Sequence, residues 1–546
     1  MAVAAWCLTV CWVAVEAQPA PQAKRHATRP DLSLFAHSEE CQACHNNLTS
    51  PAGEDASIGV SWRSTMMANS ARDPYWQASV RRETLDHPTH AGDIQDECGG
   101  CHMPMTTQIA RAHGGKGEVF AHLPVRGPED TAVKRLAADG VSCTVCHQIS
   151  PEGVGSDSRV NGRFAVTAPS ERGLRRVFGP FEVDAGRRTI MRSVTGYEQV
   201  QAPHVRESAL CASCHTLTTT ALGENGQAIG SLPEQMNFQE WQHSAFPDEQ
   251  KSCQSCHMPR VAGPVRVASV LGEARDGLSR HVFVGGNVHM LRILNRFRDE
   301  LGVAAEPEAL DATAAATMRQ LQHDTATLSI AQPTAHEGGL AFDVVVTNLT
   351  GHKFPTGYPS RRAWLHVVVI DGRGMRVFES GAARDDGSIE GNDGDADART
   401  FEPHYDTITR GDQVQIYEPI LGDRHAVPTT GLLTATQYLK DNRLLPRGFD
   451  KATADARIAV WGEARNDVDF AAAGDRVHYD IDALGTGPFA VEVELRYQSI
   501  GYRWAHNLGQ YDAPEPRRFS GYYEKTAAGA SVLIARQELR VGAAEQ

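Results

Sequence analysis

Two regimes of hydrophobic patterning divide the chain. Up to about residue 300 the apolar positions keep few sustained helical periods, and Gly, Pro and His interrupt short irregular runs. From Glu308 to Gln322, Leu310, Ala314, Met318 and Leu321 recur at helical spacing, which predicts a connecting helix. After it the period becomes two. Leu340, Phe342, Val344 and Val346 alternate with Ala341, Asp343, Val345 and Thr347; Trp364 to Ile370 is a run of the buried type; and Val491, Val493, Leu495 and Tyr497 alternate with Glu492, Glu494 and Arg496. The pattern predicts an α+β multidomain chain. An irregular, mainly helical domain spans 18–300, a connecting helix lies within 301–325, and an antiparallel β-sandwich-like domain spans 326–546. The Asp- and Gly-dense stretch Asp385 to Arg399 reads as a solvated loop, with a calcium site as the alternative.

The first residues carry an address. Ala2 to Val15 form a short apolar run, followed by Val15-Glu16-Ala17 and a Pro-rich stretch, which reads as a signal peptide over 1–17 cleaved after Ala17. The run is too short to span a bilayer. No Lys or Arg precedes it, and Val10 before Cys11 is a poor lipoprotein box, so Cys7 and Cys11 are expected to be discarded. The chain is therefore expected in the periplasm or at the cell surface.

Length and charge narrow the classes. A chain of 546 residues exceeds one compact core, and 41% hydrophobic residues with a mean hydropathy of −0.36 exclude a polytopic membrane protein. A net charge of −14 argues against nucleic acid as a partner. Peripheral membrane association is left open. Aromatics are sparse at 7%, so something other than Trp, Tyr and Phe is expected to fill part of the core.

The remaining ten cysteines fall into one repeated phrase: Cys41-Gln-Ala-Cys44-His45, Cys98-Gly-Gly-Cys101-His102, Cys143-Thr-Val-Cys146-His147, Cys211-Ala-Ser-Cys214-His215 and Cys253-Gln-Ser-Cys256-His257. Cys-x-x-Cys-His is the attachment signature of c-type haem. Two thiols three positions apart on a helical turn reach the two vinyl groups of one porphyrin, and the adjacent imidazole takes the iron. Disulfides do not need a His after every second Cys, zinc would leave five His without purpose, and a thioredoxin-like site needs one pair. Five covalently attached haem c groups are expected. Because no Cys follows Cys256, all five lie in the first half of the chain.

Each iron that only passes electrons needs a sixth ligand. His204 sits just upstream of the fourth motif. His281 is flanked by apolar residues and glycines that permit close approach to a flat ring. His352 leaves the first strands on a loop stiffened by Pro355, and His243 follows Glu240-Trp241-Gln242. Weaker candidates are His37, His90, His113, His122 and His289. Met66 or Met67, on an expected helix, offers a thioether instead, whereas Met103 and Met258 are expected against porphyrin edges. An exposed or core-packed ring is the competing reading for each histidine.

These residues resemble a known family. The five motifs, with Gly140-Val-Ser-Cys143-Thr-Val-Cys146-His147, Glu240-Trp241 ahead of Cys253-Gln-Ser-Cys256-His257-Met258-Pro259, and the loop Gly351-His-Lys-Phe-Pro-Thr-Gly357, are similar to bacterial multihaem c-type cytochromes related to cytochrome c554 and hydroxylamine oxidoreductase. The resemblance is strong over about 35–290 and thinner beyond. It implies an exported electron carrier with stacked, mostly bis-His haems. Catalytic relatives usually carry more haems or replace one motif His by Lys, and this chain does neither.

The expectation is therefore an exported pentahaem cytochrome passing electrons between a quinol-side donor and a terminal acceptor, with Arg side chains beside the haem propionates. The rival is a multihaem oxidoreductase with one open iron acting on a small nitrogen or sulfur species. A third reading makes the β-domain a dock for a redox partner or a cell-surface layer.

Overall fold

The structure, a computed structural model, describes residue 1 and residues 34–126, 131–169, 173–485 and 487–542. The expected leader from residue 2 to 17, with Cys7 and Cys11, lies outside the described residues. Helices and strands both contribute, and among the described residues no helix is long and apolar enough to cross a membrane.

The period-two segments form two sheets. In one, Gly339–Asn348 pairs antiparallel with Ala326–His336 on one side and with Gly474–Ile481 on the other, and Thr407–Ile408 adds in parallel beyond it. In the second, Arg376–Ser380, Arg362–Asp371, Phe489–Gln498 and Ser531–Val541 lie in that order, with Ile416–Tyr417 also paired to Arg362–Asp371. Alternation decides what each strand buries. Phe342, Val344 and Val346 from one sheet share a core with Leu365, Val367, Val369, Val491, Val493 and Leu495 from the other, all without exposed surface. Phe342 and Tyr479 stack within it, ring centres 5.1 Å apart. The outer face is polar, with Asp343 holding Arg476 and His478 at 2.7 and 2.8 Å.

A second core joins the two halves. Tyr75 and Ala78 on helix Pro74–Asp86 and Met290, Leu291 and Leu294 on helix Val288–Arg296 meet Trp504 and Leu508 on helix Tyr502–Leu508 and Phe519 and Tyr522 on helix Pro514–Glu524. Arg81 grips Glu515 through two hydrogen bonds of 2.8 and 3.1 Å. The chain after Gln498 thus leaves the sheet and packs on the helical half before returning as Ser531–Val541. The alternation of the flanking strands gives no sign of this, because helices of 7 and 11 residues are too short to impose a clear period. Helix Pro307–His323 buries Leu310, Ala314, Thr317 and Leu321 between the two cores.

The Asp-rich stretch 385–399 is tied down more than its composition suggests. Asp385 and Asp386 are exposed, but the side chain of Asp395 is covered and takes Arg362 at 2.8 and 2.9 Å and the amide of Ile389 at 2.9 Å. With Arg362 on it, that carboxylate is a poor calcium donor.

Candidate functional site

Each motif ends a short helix. The first four of these helices are Ser38–His45, Ala91–His102, Cys143–Cys146 and Ser208–His215, and Cys253–His257 is the fifth. One helical turn sets two sulfurs on one face and the following His at the terminus. Ser252 starts the last of them with a reciprocal capping arrangement to Ser255. All ten cysteines are free thiols.

The five motifs open into one cavity of about 1800 Å³, lined by all ten motif cysteines and by His45, His102, His147, His215 and His257. A site for one small molecule occupies roughly 300–1,000 Å³, so this space suits several groups. Its wall carries apolar side chains that are otherwise exposed: Ile190 and Val194 on helix Ala185–Thr195, and Val270 and Leu271 opposite. Flat apolar groups filling the cavity would cover them. Arg187, Arg206, Arg275, Arg280, Arg319 and Arg361 also line it and suit carboxylate groups such as propionates.

The imidazoles are set for coordination. His45 donates Nδ1–H to the Val267 carbonyl at 2.6 Å, His147 to Phe178 at 2.6 Å, His102 to Ser70 at 3.2 Å, and His257 to Val284. A second-shell carbonyl of this kind fixes the tautomer and leaves Nε2 for a metal. Burial pushes His102 and His215 down to about 4 and also lowers His147, so the neutral, iron-binding form prevails at neutral pH. Trp76 packs flat on the His102 ring, 4.4 Å away and 3° from parallel.

Two further histidines face motif histidines. His281 lies opposite His147 with ring centres 6.4 Å apart, and His352 lies opposite His257 at 6.3 Å; the ring planes differ by 23° and 15°. Two imidazoles sharing one metal, each nitrogen roughly 2 Å from it and each ring centre about 1.1 Å further back, have centres about 6.2 Å apart. His281 donates Nδ1–H to Ser279 at 3.0 Å and His352 to Lys353 at 2.9 Å, and burial brings both down to about 4. The residues fit covalent haem at five places and paired imidazoles at two.

The other expected ligands are placed differently. His204 is buried; its Nε2 donates to the Ile149 carbonyl at 3.0 Å, and its Nδ1 has no partner among the described residues. His243 donates Nε2–H to Asp450 at 2.9 Å, outside the cavity. His289 bonds Thr526 at 2.9 Å, His113 bonds Ile109 at 2.9 Å, His37 caps the first motif helix, and His90 lies 3.9 Å from Asp93. His122 ends a short 3₁₀ turn. Met66 and Met67 both reach the cavity wall, as does Met258, whereas Met103 packs with Trp76, Ile94 and Val119.

The motifs also touch one another. Cys143 lies beside Cys41, Cys214 beside Cys101 and Cys211 beside Cys253; these contacts raise Cys143, Cys214 and Cys211 and lower Cys41 and Cys253. Cys146 lies within electrostatic reach of Cys211 and Cys214. The spatial order is first, third, fourth, with the second and fifth both against the fourth. Gly162 makes one of these contacts: at φ +64° its N–H donates to Ser213 at 2.8 Å, and a Cβ there would sit 2.8 Å from Gly100 and 3.0 Å from the Cys101 sulfur. Ser208 makes another, accepting the Cys253 amide at 3.1 Å. Sequence reasoning missed both; the Asn161-Gly162 turn signal was the available clue.

Among the described residues two overlapping clusters resemble a metal site, the more exposed one formed by Asp406, Asp467 and Asp469. His404, Asp467 and Asp475 converge in the β-half. His404 Nδ1 accepts from the amides of Gln415 and Asn442 at 2.9 and 3.1 Å, so Nε2 carries the proton and donates to Asp467 at 2.9 Å. A metal at Nε2 would require an imidazolate, and the group is better read as a buried hydrogen-bond network.

No family model and no curated protein matches this chain. Among solved structures it is similar to a penta-heme cytochrome c552 from Thermochromatium tepidum, with 17% identity and a TM-score of 0.49 over 93% of this chain and 100% of that one.

Proposed function

We propose that the chain is an exported pentahaem c-type cytochrome that relays single electrons between a quinol-side donor and a terminal acceptor. The observation that carries this reading is the single cavity into which ten thiols and five motif imidazoles converge. When bound, haem supplies an iron that cycles between ferric and ferrous states. The chain's own residues do the rest. The cysteine pairs would hold haem covalently at each motif, His45, His102, His147, His215 and His257 would bind its iron, and His281 and His352 would add a second imidazole at the third and fifth motifs. Backbone carbonyls hold six of these imidazoles, all but His215, in one tautomer, and the apolar wall excludes water. The contacts among motifs bring the sites close enough for electrons to pass, with the fourth as the junction. Residues 18–300 would form the haem domain and 301–325 the connector. The 326–546 region would add its own ligand, His352. Export follows from the chemistry, since haem of this type is attached outside the cytoplasm.

The mature exported chain is expected to weigh five haems more than its polypeptide and to show c-type bands in a reduced-minus-oxidised spectrum. An unmodified mass, or sulfurs joined to one another, overturns the reading.

A second reading, an oxidoreductase with one open iron acting on a small nitrogen or sulfur species, is favoured by the wall beside the second motif. There Glu83, Glu97, Glu234, Tyr75 and Tyr358 line the cavity, and the three carboxyls act electrostatically on Cys98. Buried acids of this kind are placed to deliver protons. Electron paramagnetic resonance separates the two: all-low-spin ferric iron supports the relay, and a high-spin signal in resting protein supports catalysis.

A further inference from the structure

We propose that Lys353 and Glu240 are positioning residues that hold His352 opposite His257; this rests on the haem reading above. His352 belongs to the stretch between strands Gly339–Asn348 and Arg362–Asp371, which lies outside any helix or strand and is paired through the isolated bridge of Phe354 with Leu444, two residues past His352. An axial ligand has to stay in place through each change of oxidation state, so its loop needs an anchor from elsewhere in the fold.

The anchor is a closed circuit of four buried charges. Lys353, with no exposed surface, sends Nζ away from the cavity to Asp441 Oδ2 at 2.7 Å and the Ala459 carbonyl at 3.1 Å. Glu240, equally buried, accepts the Lys353 backbone N–H at 3.2 Å and the Thr356 hydroxyl at 2.5 Å on Oε2. Its Oε1 meets Arg443 Nη1 at 3.0 Å. Arg443 completes the ring with a two-pronged grip on Asp441, 2.8 Å on each side. Two positive and two negative groups cancel. The loop is thus fixed at residue 353 by side chain and backbone and at residue 356 by its hydroxyl. At residue 352 the carbonyl accepts from Asn348 at 2.9 Å and Thr350 at 2.8 Å.

Such a network is a costly way to gain stability. Desolvating four charges consumes most of what their attraction returns, and well-packed apolar residues usually do as well; what buried ion pairs can supply is a unique arrangement. Here the arrangement determines where one imidazole sits. The neighbour of Glu240 completes the logic. Trp241 donates its indole N–H to the Lys251 carbonyl at 2.9 Å, just ahead of Cys253. Helix Asn237–Gln242 therefore grips both partners, the segment that carries His257 through Trp241 and the loop that carries His352 through Glu240.

The experiment uses the five-haem holoprotein and reads ferric spin state by electron paramagnetic resonance and magnetic circular dichroism. His352→Ala is the reference and is expected to turn one haem of the five from low to high spin. Lys353→Met combined with Glu240→Leu leaves the remaining Arg443–Asp441 pair neutral and removes both the Lys353 charge and the Glu240 acceptors, so the fold is expected to survive while the anchor goes. It is expected to put about half of that same haem into the high-spin form, the population reached when seated and unseated loops differ by less than RT. Thr356→Val is expected to act in the same direction and Thr356→Ser to restore the wild-type spectrum, a pair that decides the matter if the double variant does not fold. Variants that retain five haems and the wild-type spin state overturn the positioning role while the ligand reading stands. If His352→Ala itself leaves the spectrum unchanged, the ligand reading fails and the positioning role with it.

Discussion

Ser38 and Ser142 are tied together through one buried carboxylate. Asp139 accepts the Ser38 amide at 2.9 Å and hydroxyl at 2.7 Å, and the Ser142 hydroxyl at 2.5 Å. Ser38 begins the first motif helix and Ser142 precedes Cys143, so this carboxylate joins the first and third motifs and accounts for the contact of Cys41 with Cys143. Asp139→Ala leaves three buried donors without their acceptor, each costing about 1–3 kcal/mol if unmet. A loss of about 3 kcal/mol or more in urea unfolding is expected, together with weaker coupling between two of the five reduction potentials in spectroelectrochemistry. Unchanged coupling would remove the role given to Asp139.

His281→Ala and His352→Ala are each expected to create one high-spin ferric haem, and the double variant two. Covalent haem content stays at five in all three, because the thioether bonds are untouched. Added imidazole is expected to restore the low-spin signal. A His243→Ala control changes nothing, since that ring bonds Asp450 outside the cavity.

Gly162→Ala adds a methyl group 2.8 Å from the Gly100 backbone at a φ of +64°. The strain of the left-handed region and the clash together exceed about 2 kcal/mol. The expected result is a lower thermal midpoint and under-filled haem at the second or fourth motif, seen by peptide mass mapping. Full occupancy with an unchanged midpoint would show that the two motifs do not depend on this contact.

Glu234 gives a pH dependence. Burial pushes it up to about 7, with Glu83 and Glu97 adding to the effect against the hydrogen bond from Thr219. An unfolded glutamate titrates near 4.3. As pH rises from there to about 7 the unfolded chain releases a proton that the folded chain keeps, so stability falls across that window and levels off above it. Glu234→Gln removes this cost. The variant is expected to match the wild type at pH 4 and to exceed it by up to about 3 kcal/mol at pH 8 in chemical denaturation. Equal stability of the two chains at pH 8 would mean that folding does not raise Glu234 above its unfolded range.

Much of this molecule is written locally. Cysteines three apart with a histidine next to them state their chemistry within five residues, because one helical turn sets the geometry. The period-two runs around Val344, Val367 and Val493 likewise declare which face each strand buries. His281 and His352 were legible as candidates, from the glycines beside one and the stiff loop around the other, and His204 and His243 carried comparable signals but do not face a motif imidazole ring to ring. What separates them is which segments meet in space. His204 is held by Ile149 and His243 by Asp450, whereas His281 and His352 come to rest one iron's width from a motif imidazole. The same holds for the order of the motifs, for the helices that leave the sheet after Gln498 to pack on Tyr75, and for the circuit of Lys353, Glu240, Asp441 and Arg443. The attachment signature and the strand faces depend on neighbours along the chain and are legible in the sequence alone. The opposite ligand, the junction among the motifs and the anchoring charges depend on partners distant in sequence, and only the closed tertiary structure brings those together.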